Sequence, residues 1–190
     1  MKSWGDYHAE IERGNDTHNN VKKWAQRAPL CLLVANNEQK PYSETETGEQ
    51  TLPMPPMDKL GFQQTGDYIG YLLDYDTPTG VGWERKTVDD LYSTLIHDRE
   101  RFYAECSRAL DIFDYLLIGA ECSEKRFLNY RPKGENGANR NSRYALIREL
   151  APMFRYRVQI LFCGNRKNAA KRLAQENRLW LKYNYKRIID

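Results

Sequence analysis

No apolar run in this sequence approaches the roughly 18 residues that a membrane span requires. Its first twenty residues, MKSWGDYHAEIERGNDTHNN, contain no apolar stretch of the kind found in a secretory signal. Both patterns argue against export and anchoring, and a chain soluble inside the cell is expected. The four cysteines (Cys31, Cys106, Cys122, Cys163) are far apart with no CxxC, and the three histidines (His8, His18, His97) form no metal-ligand spacing. Neither zinc nor a disulfide framework is expected. There is no GxxxxGK[ST] loop to cradle a nucleoside triphosphate, no internal repeat and no low-complexity tract. What is present is 190 residues, 41% hydrophobic and 29% charged, enough for one globular domain with a substantial core.

The net charge of +3 hides an asymmetry. Residues 1–95 hold 9 Lys+Arg against 15 Asp+Glu, and residues 96–190 hold 20 against 11, so the halves carry −6 and +9. Of the 20 late cations 14 are Arg, whose planar fork suits phosphate. A polyanion partner and a merely solvated basic face are both consistent with that excess.

Residues 1–28 are polar and weakly periodic and are expected to form an extension with a short helix around Val21–Arg27, leaving residues 29–190 as the domain. LCLLVA, ending at Ala35, has strand length, and the Pro/Thr/Gly-rich segment after it reads as a long loop. YIGYLLDY and VGWERK, joined by DTPTG, predict a hairpin. Thr87 can cap a helix that continues to about Phe113, with a break at Asp98–Arg99. YLLIGA predicts a strand, Ser142–Met153 a helix, RVQILF a strand, and Arg166–Tyr183 a last helix. The alternation predicts an α/β fold around a mixed central sheet flanked by helices.

The chemistry-bearing stretch is Gly66-Asp67, then Glu84-Arg85-Lys86 and Asp90. Glu84 and Lys86 are two apart on a strand, so they share a face at a spacing of about 7 Å. Asp67 begins the partner strand, and a twisted or bulged hairpin brings its carboxylate beside Glu84. Two carboxylates at one spot are costly without a cation, and oxygen ligands at a hydrated site favour Mg2+ or Mn2+. A lysine beside such an ion, on a basic domain, suits phosphodiester hydrolysis. Each part also has a plainer role: Asp67 as a turn residue, Glu84 and Lys86 as a surface charge pair, Asp90 as the acid of a helix capping box.

GDY followed by ERKTVDDLYSTL resembles the GD(X)nERKXXXD signature of the XPF-type (ERCC4-like) structure-specific endonucleases, a branch of the PD-(D/E)XK superfamily. VANNEQKPY is similar to the family's opening VDxREQxPY segment, with Glu38, Gln39, Pro41 and Tyr42 in place. LIHDRERF puts Arg99 where the family has an arginine after its first core helix, and DYLLIGAE resembles the next core strand, with Glu121 at its end. The resemblance spans about residues 30–175 and is nearest to compact phage and prophage members. It implies a restriction-endonuclease-like fold, a cytoplasmic location in a bacterium or phage-infected host cell, and a DNA endonuclease for branched or junction DNA that leaves a 5′-phosphate and a 3′-hydroxyl. Asp67 and Glu84 would hold Mg2+ or Mn2+, Lys86 would orient the attacking water, and Arg85, Arg99 and Glu38 would support the site or contact phosphate, with Asp90 secondary. A homodimer, or a DNA-binding partner subunit, is implied as well.

Two residues depart from the opening motif: Ala35 stands for its aspartate and Asn37 for its arginine. They favour an alternative, a nuclease-like subunit that binds DNA or assembles without cutting. The sequence also carries no tandem helix-hairpin-helix after the domain, so a grip on DNA is expected from the domain itself or a partner. Arg131, Lys133, Arg140 and Arg143, around a Gly/Asn loop, are the candidate phosphate contacts. In FRYR and RLWLKYNYKR the aromatics suit either the core or base stacking.

Overall fold

The computed structural model describes Ala9 and residues 13–14, 17–55, 66–133 and 139–189. In chain order these form α1 (His18–Arg27), β1 (Leu30–Val34), α2 (Glu44–Thr47), β2 (Gln50–Pro53), β3 (Tyr68–Leu72), β4 (Thr77–Lys86), α3 (Val88–Ile96), α4 (Arg99–Leu110), β5 (Tyr115–Ala120), α5 (Glu124–Leu128), α6 (Arg140–Met153), β6 (Val158–Phe162), α7 (Arg166–Asn184) and α8 (Lys186–Ile189). The six strands make one sheet in the order β2-β1-β3-β4-β5-β6. Pairing is antiparallel for β1/β3 and β3/β4 and parallel elsewhere. The expected mixed α/β sheet with flanking helices is therefore the observed architecture.

Both faces of the sheet are covered, which is why β1 is apolar at all five positions rather than alternating. On one face Leu33, Ile69, Leu116, Ile118 and Val158 pack with Leu91 and Leu95 of α3, Phe102 and Cys106 of α4, and Leu150 of α6. On the other, Leu32, Tyr68, Trp83 and Leu117 pack with Trp24 of α1 and Ala170, Leu173 and Leu181 of α7. Alternation along β4 sends Trp83 to the α7 side and Gly82 toward Phe113 on the α4 side. Glu84 and Lys86, in phase with Gly82, face α4.

Local expectations meet mixed outcomes. The short helix expected around Val21–Arg27 is α1, which starts at His18; Thr17 caps it through Asn20 N–H, and Trp24 is fully buried. Truncating such an indole to alanine costs about 3–5 kcal/mol, so α1 belongs to the folded body. The break expected at Asp98–Arg99 is present: α3 ends at Ile96, the His97 and Asp98 N–H groups both turn back to the Ser93 carbonyl, and α4 restarts at Arg99 and ends at Leu110, short of the expected Phe113. β3 ends at Leu72 and a 3-10 turn follows, so β4 begins at Thr77, within the expected DTPTG turn. β2 and α2 lie inside the segment read as loop. β2 is a four-residue edge strand parallel to β1, and its proline sits at the strand end, where a missing N–H is tolerated.

Candidate active site

Gly66 carries a φ of +81°, and a Cβ there would lie 3.1 Å from the Trp83 carbonyl oxygen. Only glycine turns the chain so close to β4 without strain. The turn fixes Asp67 three ways: its N–H donates to Trp83 O at 2.8 Å, its carbonyl accepts from Ala35 N–H at 2.8 Å, and its Oδ2 accepts from Arg85 N–H at 2.7 Å. The pairing of β3 with β4 shifts register between Ile69 and Tyr71, the irregularity the juxtaposition was expected to need. Glu84 and Lys86 share a face, with Nζ 2.7 Å from Oε1. Asp67, Glu84 and Lys86 open together onto a polar cleft of about 430 Å³, walled opposite by α4.

Burial, and next the charge of Glu84, push the Asp67 carboxyl up to about 7; the Arg85 N–H and Lys86 pull the other way. Burial alone would lower the Lys86 ammonium, but the charge and hydrogen bond of Glu84 outweigh it and hold the lysine above its usual value. Lys86 therefore stays protonated at neutral pH and acts as a charge and a donor, not as a base. The donor set fits a divalent cation: two carboxylates too close to be comfortable, one oxygen of Asp67 not used by the Arg85 N–H, and room for water or phosphate in the remaining positions. Asp67 and Glu84 would hold it. No group of three or more His, Cys, Asp or Glu side chains is arranged for a metal among the described residues.

The other sequence candidates divide. Arg85 points to the opposite face of the sheet, where it donates to Glu121 (2.7 and 3.2 Å) and Glu38 (3.1 Å). Arg85 and Glu38 are thus brought together beside the site but not into the cleft. Asp90 completes a capping box with Thr87, whose hydroxyl lies 2.6 Å from its Oδ2, and does not line the cleft. Arg99 is exposed at the start of α4 and also does not line it; two residues on, Arg101 does, with Glu105 and Arg108. Arg131, Lys133 and Arg140 are exposed, and residues 134–138 of their loop lie outside the described residues. Arg143 is a correction: it is 4% exposed, its Nη1 donates to the carbonyls of Phe127 (2.8 Å) and Tyr130 (2.7 Å), and it lies over the Tyr92 ring. It braces the loop entrance and is not presented to a phosphate. His97 is exposed at the α3–α4 break; Cys31, Cys106 and Cys122 are buried, Cys106 along the wall of the cleft, whereas Cys163, expected in the core as well, is only half-buried.

Ala35 directly follows β1 and is 3% exposed, in the same apolar cluster as Leu33, Met54 and Ile69, whereas Asn37 lines the cleft. The residues missed from sequence are Arg101, Glu105 and Arg108. Their i, i+4, i+7 spacing in RERFYAECSR is the signal that puts them on one helix face.

The ERCC4 domain family matches residues 57–175, more than half of the chain. The chain belongs to the ERCC4 domain family. Among solved structures it is similar to XPF from Aeropyrum pernix, with a TM-score of 0.52 and 19% identity over 83% of this chain and 66% of that one. It is also similar to XPF from Aeropyrum pernix in complex with DNA, with a TM-score of 0.49 and 18% identity over the same shares. The chain thus spans just under two thirds of the length of these structures, and at this identity the likeness to the first establishes the fold alone. No curated protein matches. No helix among the described residues of this ERCC4-domain protein is long and apolar enough to cross a membrane.

Proposed function

We propose that this protein is a divalent-metal-dependent DNA endonuclease acting at branched or junction DNA. The observation that carries the reading is the meeting of Asp67, Glu84 and Lys86 at one cleft, from two strands whose sequences match the family signature. A Mg2+ or Mn2+ ion held by Asp67 and Glu84 would polarise the scissile phosphate and acidify a bound water. The chain's own part is positional. The Arg85 N–H fixes one oxygen of Asp67, so the carboxylate enters the reaction already oriented. Lys86, kept charged by Glu84, can donate to the attacking water or to a phosphate oxygen and stabilise the negative charge that develops there. Arg101 and Arg108, on the α4 wall, offer positive charge to the strand that enters the cleft.

Labelled single-stranded, duplex, flap and fork DNAs, each incubated with Mg2+, Mn2+ or chelator, test the reading. Cleavage of the branched substrates with either metal and none in chelator is expected. Asp67→Asn, Glu84→Gln and Lys86→Ala should each lower the rate by about two orders of magnitude or more and leave the fold intact; cleavage at the parent rate by all three would place the site elsewhere.

A second reading, a non-cleaving DNA-binding or assembly subunit, is favoured by one observation: Ala35 packs as a buried apolar residue where the family motif has an aspartate. Binding of fork DNA without cleavage in either metal would establish it. Under both readings we propose a homodimer or a DNA-binding partner, because Leu179 and Tyr183 of α7 and Met153 and Tyr156 at the α6–β6 turn are large hydrophobics left exposed. Light scattering at micromolar concentration distinguishes the monomer from the dimer.

A further inference from the structure

We propose that Arg166 is a positioning residue for the metal-binding carboxylates, acting through Glu121 and Arg85 on Asp67. It rests on the nuclease reading for the identity of the site, and on hydrogen-bond geometry for the connection to it.

Arg166 is the first residue of α7. The positive end of the helix dipole lies there, so a cation at this position is disfavoured unless other groups hold it. The turn before it places it: Cys163 N–H donates to Ala120 O and Gly164 N–H to Cys122 O, which sets the start of α7 against the end of β5, beside Glu121. The guanidinium is then fully engaged. Nε lies 2.8 Å from Glu46 Oε1, Nη1 3.0 Å from Lys40 O, and Nη2 2.7 Å from Pro41 O. Nη1 is also 3.7 Å from Glu121 Oε1, and the group lies 4.8 Å from the centre of the Tyr42 ring.

Glu121 is shared between two guanidinium groups. Its carboxylate takes both Nε and Nη2 of Arg85, and its N–H donates to Lys86 O at 2.9 Å. Arg85 in turn holds Glu38, and its own N–H holds Asp67. Arg166 thus fastens the Lys40–Glu46 segment on one side and Glu121 on the other. Glu121, with Glu38, sets the Arg85 side chain, and with it the peptide that orients Asp67. Removing Arg166 leaves Glu46 without its arginine and gives Glu121 one cation instead of two. Arg85 then gains freedom, and the orientation of Asp67 is relaxed.

Arg178 supplies the control. Further along α7 it braces neighbours in the same manner, to Glu49 and to the carbonyls of Ala25 and Ala28, and makes no contact with the Arg85 cluster. The experiment measures Mn2+ affinity calorimetrically for the parent, Arg166→Ala, Arg166→Lys and Arg178→Ala, with melting temperatures recorded alongside. Arg166→Ala should weaken Mn2+ binding about tenfold, the usual scale for a residue that orients a metal ligand. Arg166→Lys should recover part of that, because it keeps the charge but not the fork. Arg178→Ala should lower the melting temperature and leave the affinity unchanged. Equal affinities for Arg166→Ala and Arg178→Ala overturn the proposal. If the parent itself binds no Mn2+, the metal-site reading has failed, and amide exchange decides the positioning claim by itself. The Arg85 N–H should then exchange about tenfold faster in Arg166→Ala than in Arg178→Ala, and equal rates overturn it.

Discussion

Arg85 holds Asp67 with its backbone and Glu121 with its side chain, the N–H at 2.7 Å from Asp67 Oδ2 and Nε at 2.7 Å from Glu121 Oε1. One strand residue thereby couples the two faces of the sheet. Glu84 and Lys86, its neighbours, project into the cleft, while Arg85 projects away and fixes the partner strand's acid from behind. The arginine of the ERK triplet is thus explained without assigning it a phosphate: a backbone donor can orient a carboxylate only if its own peptide is fixed, and three hydrogen bonds to two carboxylates fix it.

The first prediction concerns stability. Asp67 titrates near 3.8 unfolded and about 7 folded, so between those values the native state binds the extra proton and stability falls as pH rises. Above about 7 the penalty is fully present. In chelator at pH 8, Asp67→Asn should be more stable than the parent by at least about 1 kcal/mol, since each pKa unit corresponds to about 1.4 kcal/mol; near pH 4 the difference should shrink. Mg2+ should stabilise the parent and not the variant. Urea unfolding at both pH values measures this, and a variant no more stable at pH 8 contradicts the crowding of Asp67 by burial and Glu84.

The second separates arginines that look alike in sequence. Arg140 is exposed and Arg143 is buried against two carbonyls. Arg140→Glu, with Arg131→Glu and Lys133→Glu, should weaken DNA binding for all sequences alike and flatten its salt dependence by about 0.7–0.9 in slope for each phosphate no longer neutralised. Arg143→Ala should instead lower the melting temperature, because it removes the guanidinium that donates to both the Phe127 and Tyr130 carbonyls, a loss of about 1–3 kcal/mol. A stable Arg143→Ala protein with weakened DNA binding would restore that residue to the surface.

What was legible in the sequence follows from the range of the interaction. Glu84 and Lys86 share a face because strand side chains alternate, and Thr87 and Asp90 cap α3 because they are three apart; both are local facts. Arg99 and Arg101 differ by roughly 200° around a helix, so choosing between them required knowing where α4 begins and which face meets the sheet. Arg166 reaches Glu46 across 120 residues, and no local pattern encodes that. The same holds for β2, whose four residues become a strand only by pairing with β1, and for Trp24, whose surroundings in sequence are polar but whose pocket is built by the sheet and α7. Arg143 was misplaced because a cation flanking a Gly/Asn loop reads as surface, while its actual partners are main-chain carbonyls invisible to pattern.

A third prediction tests the packing behind the site. A Cβ added at Gly119 would fall 2.0 Å from the Trp83 ring, and Trp83 is fully buried with neighbours on every side. The indole has nowhere to retreat without displacing β4, which carries Glu84 and Lys86. Gly119→Ala should therefore cost on the order of 1–3 kcal/mol or more and reduce cleavage together with stability. An unchanged melting temperature would mean that the Trp83 ring does not lie over Gly119.

The last prediction concerns the missing aspartate. Ala35 begins where β1 ends, its N–H donates to Asp67 O at 2.8 Å, and its side chain is on the α4 side of the sheet, the side of Glu84 and Lys86. A carboxylate at this position adds negative charge to a site where burial already holds Asp67 up to about 7. Without metal, Ala35→Asp should be destabilised, because an unpaired buried charge has no compensating partner. With a divalent ion the same charge becomes favourable. The Mg2+ concentration for half-maximal cleavage should then fall several-fold below the parent's, and the preference for Mn2+, which tolerates less ideal geometry and binds such ligands more tightly, should narrow. Two measurements on one variant decide the matter: melting temperature with and without Mg2+, and the metal dependence of fork cleavage. Loss of stability that Mg2+ does not restore, with an unchanged or raised metal requirement, would mean that position 35 faces only Leu33, Met54 and the core, and that this site is built to work with two carboxylates.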